Sequence, residues 1–168
     1  MLVVSNTSPI LNLAIVGQLA LMRQQFEQIK IPPAVLEELR ITEELPGSRL
    51  VREAIAAGWI QVREVRNQSL VQVLQQTLDP GEAEAIALAV ELQAKWTLLD
   101  ERDGRKVAKS LGLKVTGVLG ILLRAREMGK LSNLLEVIQN LTDKAGFRIA
   151  PELLAQVIDE SQPLDSQN

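Results

Sequence analysis

Five short apolar segments alternate along the chain with longer segments that have helical spacing. The apolar segments cover residues 2–5, 28–31, 59–65, 96–99 and 113–116. Parallel strands need long crossover connections, which are usually helical, so this alternation predicts an α/β fold with a mainly parallel sheet. The runs at 2–5, 96–99 and 113–116 are short enough for strands covered on both faces by helices, and we place them at the sheet centre.

The turn residues predict where the helices begin and end. Ser8 and Pro9 are typical of an N-cap followed by the first helical position, and Pro32-Pro33 precedes a helix over 34–41. Asp79-Pro80-Gly81 precedes a helix over 82–94. Further helices are expected over 11–26, 49–57, 70–77, 104–111, 118–128, 131–144 and 151–159, with left-handed C-caps at Gly58, Gly112 and Gly129.

The length of 168 residues fits one domain. We predict a single domain over residues 1–160 and a flexible tail over 161–168, since the tail is polar and has no periodic apolar pattern. The chain begins without a basic segment followed by an apolar one, and no apolar run approaches the roughly 20 residues of a membrane span. We therefore expect a soluble cytoplasmic protein without a membrane partner.

The composition narrows the chemistry of any active site. The chain contains no His, no Cys and no Tyr, which excludes disulfides, thiolate nucleophiles, imidazole bases and most zinc sites. Carboxylates, hydroxyls, Lys and Arg remain, and carboxylates suit hard cations such as Mg²⁺ or Mn²⁺. The formal net charge of −3 gives no general attraction for nucleic acid, so RNA binding would need a local basic rim. Candidate rim residues are Arg102, Arg105, Lys106, Lys109, Arg124 and Arg126.

Polar residues follow three of the predicted strands. They are the runs 5–8 (Ser-Asn-Thr-Ser), 100–103 (Asp-Glu-Arg-Asp) and 116–117 (Thr-Gly). Open α/β sheets bind ligands beyond the carboxyl ends of their strands, so these residues are candidates for a site. Each run also suits an ordinary turn or helix cap.

Two helical acids face the expected core. Helical periodicity places Glu82 among the apolar residues of its helix, whereas Glu84 projects on the polar side. In the helix over 34–41, Glu38 lies at the border of the apolar face and Glu37 points further out. Each acid has an alternative role, since Glu82 would favourably oppose the helix dipole and Glu38 would be a solvated charge.

Together these pieces resemble the PIN-domain ribonucleases, in particular their VapC-like branch. The resemblance covers residues 2 to about 129 and rests on five segments in the family's order. These segments are 3–10 (VVSNTSPI), 31–39 (IPPAVLEEL), 81–89 (GEAEAIALA), 98–101 (LLDE) and 115–120 (VTGVLG). It implies a three-layer α/β/α sandwich with acidic residues that bind Mg²⁺ or Mn²⁺ for phosphodiester hydrolysis.

The resemblance also implies a set of site residues. The family's four acidic positions fall on Asn6, Glu38, Glu82 and Asp100. Glu84 is the rival of Glu82, and Glu101 or Asp103 would supplement Asp100. The residues that would support the acids or contact substrate are Thr7, Ser8, Thr116 and Arg105. Asn6 departs from the family pattern, because an amide binds a cation but supplies no negative charge.

Two functions remain open at this point. The first is a metal-dependent endoribonuclease, the toxin of a type II toxin-antitoxin pair, with RNA as substrate, a small antitoxin as partner and a homodimeric state. The second is a catalytically weak or inactive PIN-like module that binds a protein partner, which Asn6 favours. A nucleotide-binding protein is disfavoured, since the loop after the first strand lacks a Gly-rich phosphate cradle. A phospho-acceptor receiver would leave Glu38 and Glu82 unexplained.

Overall fold

The computed structural model describes residues 1–161 and contains one five-stranded parallel sheet. Its strands are β1 (Val3–Ser5), β2 (Ile29–Ile31), β3 (Ile60–Val62), β4 (Trp96–Leu98) and β5 (Val115–Thr116), in the spatial order β3-β2-β1-β4-β5. The helices are α1 (Thr7–Ile15), α2 (Ala20–Phe26), α3 (Pro33–Leu39), α4 (Ser48–Ala56), α5 (Gln68–Leu74), α6 (Pro80–Leu92), α7 (Arg102–Ser110), α8 (Val118–Glu127), α9 (Leu134–Ala145) and α10 (Pro151–Ser161). This is the predicted α/β/α architecture.

The strand register brings the candidate strand ends to one edge of the sheet. Ser5 pairs with Leu98, and Leu98 pairs with Thr116. Since all neighbouring strands are parallel, the polar residues that follow β1, β4 and β5 emerge at the same carboxyl edge. The helices α1, α7 and α8 begin directly after these strands. Their first turns therefore surround that edge.

The placement of the 113–116 strand at the sheet centre was wrong. β1 is central and β4 is its neighbour, but β5 lies at the sheet edge and β2 takes the other inner position. Val115 and Thr116 are only half-buried, and Lys114 before them is exposed. A strand with a neighbour on only one side lies in a more polar environment. The mixed polar and apolar sequence of β5 is consistent with such a position.

The predicted first helix also differs from the observed one. Its N-cap is Asn6 rather than Ser8, and Pro9 lies in the first turn, where its missing N–H costs nothing. The expected helix over 11–26 is two helices, which are separated at Gly17 with a φ of +73°. Gly58, Gly112 and Gly129 adopt the predicted left-handed conformation. The other helices are found as expected, with termini shifted by three residues at most.

Helix α6 lies in the middle of the core and positions part of the candidate site. Its residues from Gly81 to Ala83 and from Ala85 to Ala89 are buried, and its small alanine side chains allow close packing against α3, α5 and β1. None of the helices within residues 1–161 combines the length and apolar character needed to cross a membrane. Of the predicted tail, Ser161 ends α10, and residues 162–168 lie outside the described part.

Candidate metal centre at the carboxyl edge of the sheet

Asn6 occupies the corner where β1 turns into α1. Its backbone N–H donates to the carbonyl of Leu98 at 3.0 Å, which ties the end of β1 to the end of β4. Asn6 is 3% exposed, and its Oδ1 has no hydrogen-bond partner among the side chains and backbone of residues 1–159. A buried carbonyl oxygen without a donor is costly unless something else binds it.

Glu38 reaches this corner from α3. The Thr7 hydroxyl donates to Oε2 of Glu38 at 2.5 Å, and the backbone N–H of Gly81 donates to Oε1 at 3.0 Å. A Cβ added at Gly81 would lie 2.3 Å from Oε2 of Glu38. The glycine is therefore required for the carboxylate to approach the first turn of α6.

Asp100 follows β4 and is held in a similar way. The Ser8 hydroxyl donates to its Oδ2 and the Val118 N–H to its Oδ1, both at 2.8 Å. Burial raises the pKa of Asp100, although the bonds from Val118 and Ser8 and the charge of Arg105 oppose that shift. We call Glu38 and Asp100 the bonded pair, because hydrogen bonds from the chain reach both oxygens of each carboxylate.

Arg105 and Thr116 lie beside Asp100. Arg105 donates from Nη1 to the carbonyl of Leu99 at 2.9 Å, so the guanidinium is fixed next to the carboxylate. Thr116, half-buried at the end of β5, lines the same cavity as Asp100 and Arg105. Gly120 leaves room for the Thr116 hydroxyl, since a Cβ there would overlap Oγ1.

Three other carboxylates form a second group, which we call the carboxylate trio. Asp79, Glu82 and Glu101 each have a carboxylate oxygen within 4.8 Å of the others. Glu82 is 3% exposed, and burial, hydrogen bonding to Glu101 and the neighbouring negative charges raise the pKa of Glu82 to about 9. Asp79 also caps α6, since its Oδ1 accepts the N–H of Glu82 at 2.8 Å.

The two groups belong to one continuous edge. Gly81, which donates to Glu38, directly precedes Glu82, and Asp100 directly precedes Glu101. Thr7 and Ser8, which bind the two members of the bonded pair, are consecutive. Glu38 and Asp100 therefore flank the start of α1 next to Asn6, whereas Glu82 belongs to the carboxylate trio, which includes neither of them.

The rival residues lie in other surroundings. Glu84 is half-buried, and its carboxylate interacts with the backbone N–H of Ala34 at the start of α3; burial raises its pKa. Asp103 is exposed in the first turn of α7 and lies outside the trio. Glu101 belongs to the trio.

Sequence reasoning missed Asp79. It treated the Asp-Pro-Gly run only as the start of a helix. The available signal was spacing, because an N-cap acid three residues before Glu82 places both side chains at the same first turn.

The predicted basic rim is divided between two places. Arg102, Arg105, Lys106 and Lys109 line a cavity together with Asp100. Arg124 and Arg126 are in the last turn of α8, and α8 begins at this edge and runs away from it. Only the α7 part of the rim therefore adjoins the acids.

The donor set fits a divalent cation. Carboxylate and amide oxygens are the ligands that hard cations prefer. Two ionised carboxylates about 4.8 Å apart repel by roughly 3 kcal/mol at an effective dielectric near 20, and a cation or a proton relieves that repulsion. The unpartnered Oδ1 of Asn6 is a further neutral oxygen at the same edge.

Comparison with known proteins identifies a family and similar solved structures. The chain resembles a PilT N-terminus domain protein from the hyperthermophilic archaeon Sulfolobus solfataricus at 21% identity; the likeness covers 74% of this chain and 93% of that one, with a TM-score of 0.49. No curated protein matches. The family model described as DUF3368, a PIN domain, matches residues 2–163. The chain therefore belongs to the PIN-domain family.

Proposed function

We propose that this protein is a VapC-like endoribonuclease that hydrolyses RNA phosphodiester bonds with Mg²⁺ or Mn²⁺. The observation that supports the proposal is the carboxylate trio of Asp79, Glu82 and Glu101. Glu38, held by the Gly81 N–H, and Asp100, which directly precedes Glu101, lie at the same edge of the sheet. A divalent cation bound by such oxygens stabilises charge on a phosphate and lowers the pKa of a bound water. This chemistry needs neither His nor Cys, and the chain has neither.

Residues of the chain orient the carboxylates at this edge through hydrogen bonds. Ser8 and the Val118 N–H orient the Asp100 carboxylate, while Thr7 and the Gly81 N–H orient Glu38. Asn6 would contribute its Oδ1 as a neutral ligand. In the absence of a cation, Glu82 keeps a proton at neutral pH, and this proton would leave when a cation binds. Arg105 and Thr116 would contact the substrate.

A cleavage assay tests the proposal. We expect purified protein with Mn²⁺ to cleave a structured RNA, and Asp100→Asn to reduce cleavage at least about 100-fold, as expected for loss of a group that holds the reacting centre. Asp103→Asn is the matched control, since this exposed acid lies outside the trio. Cleavage that survives Asp100→Asn, or that is lost with Asp103→Asn instead, would contradict the assignment.

The second candidate is a PIN-like protein-binding module without turnover. The observation that favours it is Asn6 itself, because the amide supplies no charge at a family acidic position. Calorimetric titration with Mn²⁺ separates the two functions, since the nuclease is expected to bind the ion and the module is not. We expect Asn6→Asp to tighten Mn²⁺ binding about tenfold, which corresponds to 1.4 kcal/mol. Equal affinity of the variant and the wild type would show that residue 6 is not a ligand.

The toxin role and the homodimer are part of the same proposal. A small antitoxin encoded beside this chain should co-purify with it and suppress cleavage. For the dimer, a contact through α2 and α4 is supported by the groove between them, which is lined by Leu19, Ala20, Leu50, Ala54 and Trp59. Light scattering should give twice the monomer mass, and Ala57→Arg, at an exposed residue that lines the same groove, should return the monomer mass.

A further inference from the structure

A groove leaves the acidic edge at Asp100 and runs along α7. One wall is α7, and the opposite wall is the segment over 147–153 at the start of α10. The groove consists of two cavities of about 610 Å³ and 390 Å³, which share Asp100, Arg105, Ala150 and Leu153. Both volumes lie in the range of pockets that enclose small ligands. Because both cavities include Asp100, they are continuous with the candidate metal centre.

The α7 wall of this groove carries a row of cations. Arg102, Lys106 and Lys109 are exposed, and their spacing of four and three residues puts them on one face of the helix. Among the side chains of residues 1–159 the ion pairs involve Arg40, Arg49 and Arg52, so these three α7 cations have no acidic partner in that range. From Arg102 to Lys109 the row spans about 10 Å at 1.5 Å per residue.

Most of the remaining groove surface is apolar, and Thr116 and Arg148 are its further polar residues. Leu119, Leu123 and Phe147 are half-buried and pack against the core, and Leu153 is 42% exposed. Phe147 is one of four aromatic residues in the chain. An unpaired base presents a flat apolar face that stacks on such a ring, whereas base faces inside a duplex are covered by their neighbours.

We propose that this groove is a track for single-stranded RNA, which rests on the function proposed above. The phosphates follow Arg102, Lys106 and Lys109, and the bases lie on the apolar surface around Phe147. A row of about 10 Å accommodates roughly three nucleotides at a stacked rise near 3.4 Å. The net charge of −3 disfavours phosphate elsewhere, so the unpaired row directs the strand toward Asp100.

Binding in EDTA tests the track independently of cleavage. The probe is a fluorescein-labelled 12-nucleotide oligouridylate, measured by anisotropy between 50 and 200 mM KCl. The triple variant Arg102→Gln, Lys106→Gln and Lys109→Gln should reduce the slope of log K against log salt by about 2, at roughly 0.7 per phosphate contact. At 100 mM KCl this corresponds to about 100-fold weaker binding.

The matched control removes the same number of charges elsewhere. Lys95 and Lys114 lie just before β4 and β5, at the opposite edge of the sheet, and Lys130 follows α8. All three are exposed, and their joint change to Gln should leave the slope unaltered. An equal loss in both triple variants would overturn the track, since it would show that only total charge matters.

The apolar surface is tested by Phe147→Leu, which keeps an apolar side chain but removes the ring. We expect binding to weaken about 5-fold to 100-fold without a change in the salt slope, because stacking contributes about 1–3 kcal/mol per base. Unchanged affinity would overturn the placement of bases on Phe147. Displacement of the RNA by an equimolar glutamate 12-mer would also overturn the proposal, since the groove would then be a site for acidic peptides.

The binding assay and the cleavage assay fail in different ways. RNA binding that depends on the α7 row but gives no Mn²⁺-dependent cleavage supports the track and contradicts the proposed function. Cleavage that persists while binding ignores the α7 row supports the proposed function and contradicts the track. Thermal melts of each variant check that it is folded.

Discussion

The bonded pair and the carboxylate trio occupy the same edge of the sheet, but they are stabilised in different ways. Both oxygens of Glu38 and of Asp100 accept hydrogen bonds from hydroxyls and backbone N–H groups of the chain. The trio instead places carboxylates within 4.8 Å of one another, with Glu82 buried. The pair is therefore positioned without a cation, whereas the trio needs a proton or a cation to reduce its repulsion.

This difference predicts which part of the edge responds to conditions. Hydrogen bonds from a folded backbone change little with pH or added metal, provided the acceptor stays ionised. A cluster of like charges responds strongly to both. Effects of metal and pH should therefore depend on Glu82, and effects of local geometry should appear in the bonded pair.

The largest expected effect is stabilisation by a divalent cation. A cation at 100 times its dissociation constant stabilises the fold by about 2.7 kcal/mol, which raises Tm by about 8 °C for a domain of this size. Differential scanning fluorimetry with MnCl₂ measures the shift. Glu82→Gln should abolish it, whereas the control Glu84→Gln should retain it. An unchanged shift in Glu82→Gln would show that the trio does not bind the cation.

The next effect is a pH dependence of stability in EDTA. The pKa of Glu82 is about 9 in the fold and near 4.5 when unfolded, so between these values the folded state holds a proton that the unfolded state has lost. Stability contributed by this group therefore falls as pH rises through that window. We expect the wild type to lose about 6 °C in Tm between pH 6.0 and pH 7.5, relative to Glu82→Gln, because each pH unit in this window removes about 1.4 kcal/mol. Parallel pH profiles of the two proteins would contradict this.

A pair of glycine substitutions compares the two groups sterically. A Cβ at Gly117 would lie 2.5 Å from Oδ1 of Asp100 and 3.0 Å from the Leu99 carbonyl. Gly117→Ala should therefore cost about 2 kcal/mol, or about 5 °C in Tm. A Cβ at Gly104 would lie 3.2 Å from Oε2 of Glu82, a side-chain end that is able to shift. Gly104→Ala should change Tm by less than about 1 °C, since alanine also favours the helix. Equal losses of Tm in Gly117→Ala and Gly104→Ala would contradict the expected steric difference between the two groups.

The smallest effect separates the two members of the bonded pair. Ser8→Ala removes a bond to the half-buried carboxylate of Asp100, which should cost about 1.5 kcal/mol, or about 3 °C in Tm. Thr7→Val removes a bond to the exposed Glu38, where water replaces the hydroxyl, so we expect a loss below about 1 °C. Thermal melts at pH 7.5 in EDTA measure both. A larger loss in Thr7→Val would mean that Glu38, and not Asp100, anchors the edge.

Local pattern was sufficient to predict the elements and the inward orientation of Glu82. The strand and helix alternation depends on apolar periodicity, which neighbouring residues carry, and it predicted the parallel sheet. Periodicity also predicted that Glu82 faces inward, as its burial shows. The absence of His and Cys excluded imidazole and thiolate chemistry before any geometry was known.

Other features depended on contacts between distant parts of the chain. The edge position of β5 depends on which strands pair with one another. The sequence does not reveal this pairing, because the short apolar runs are alike in composition. The N-cap role of Asn6 is set by the pairing of β1 with β4 through Leu98. The trio joins Asp79 and Glu82 to Glu101 across α6 and α7. Sequence alone determined the residue types and their order, whereas the tertiary fold decided which carboxylates lie close together, because that depends on distances of a few ångströms between separate elements.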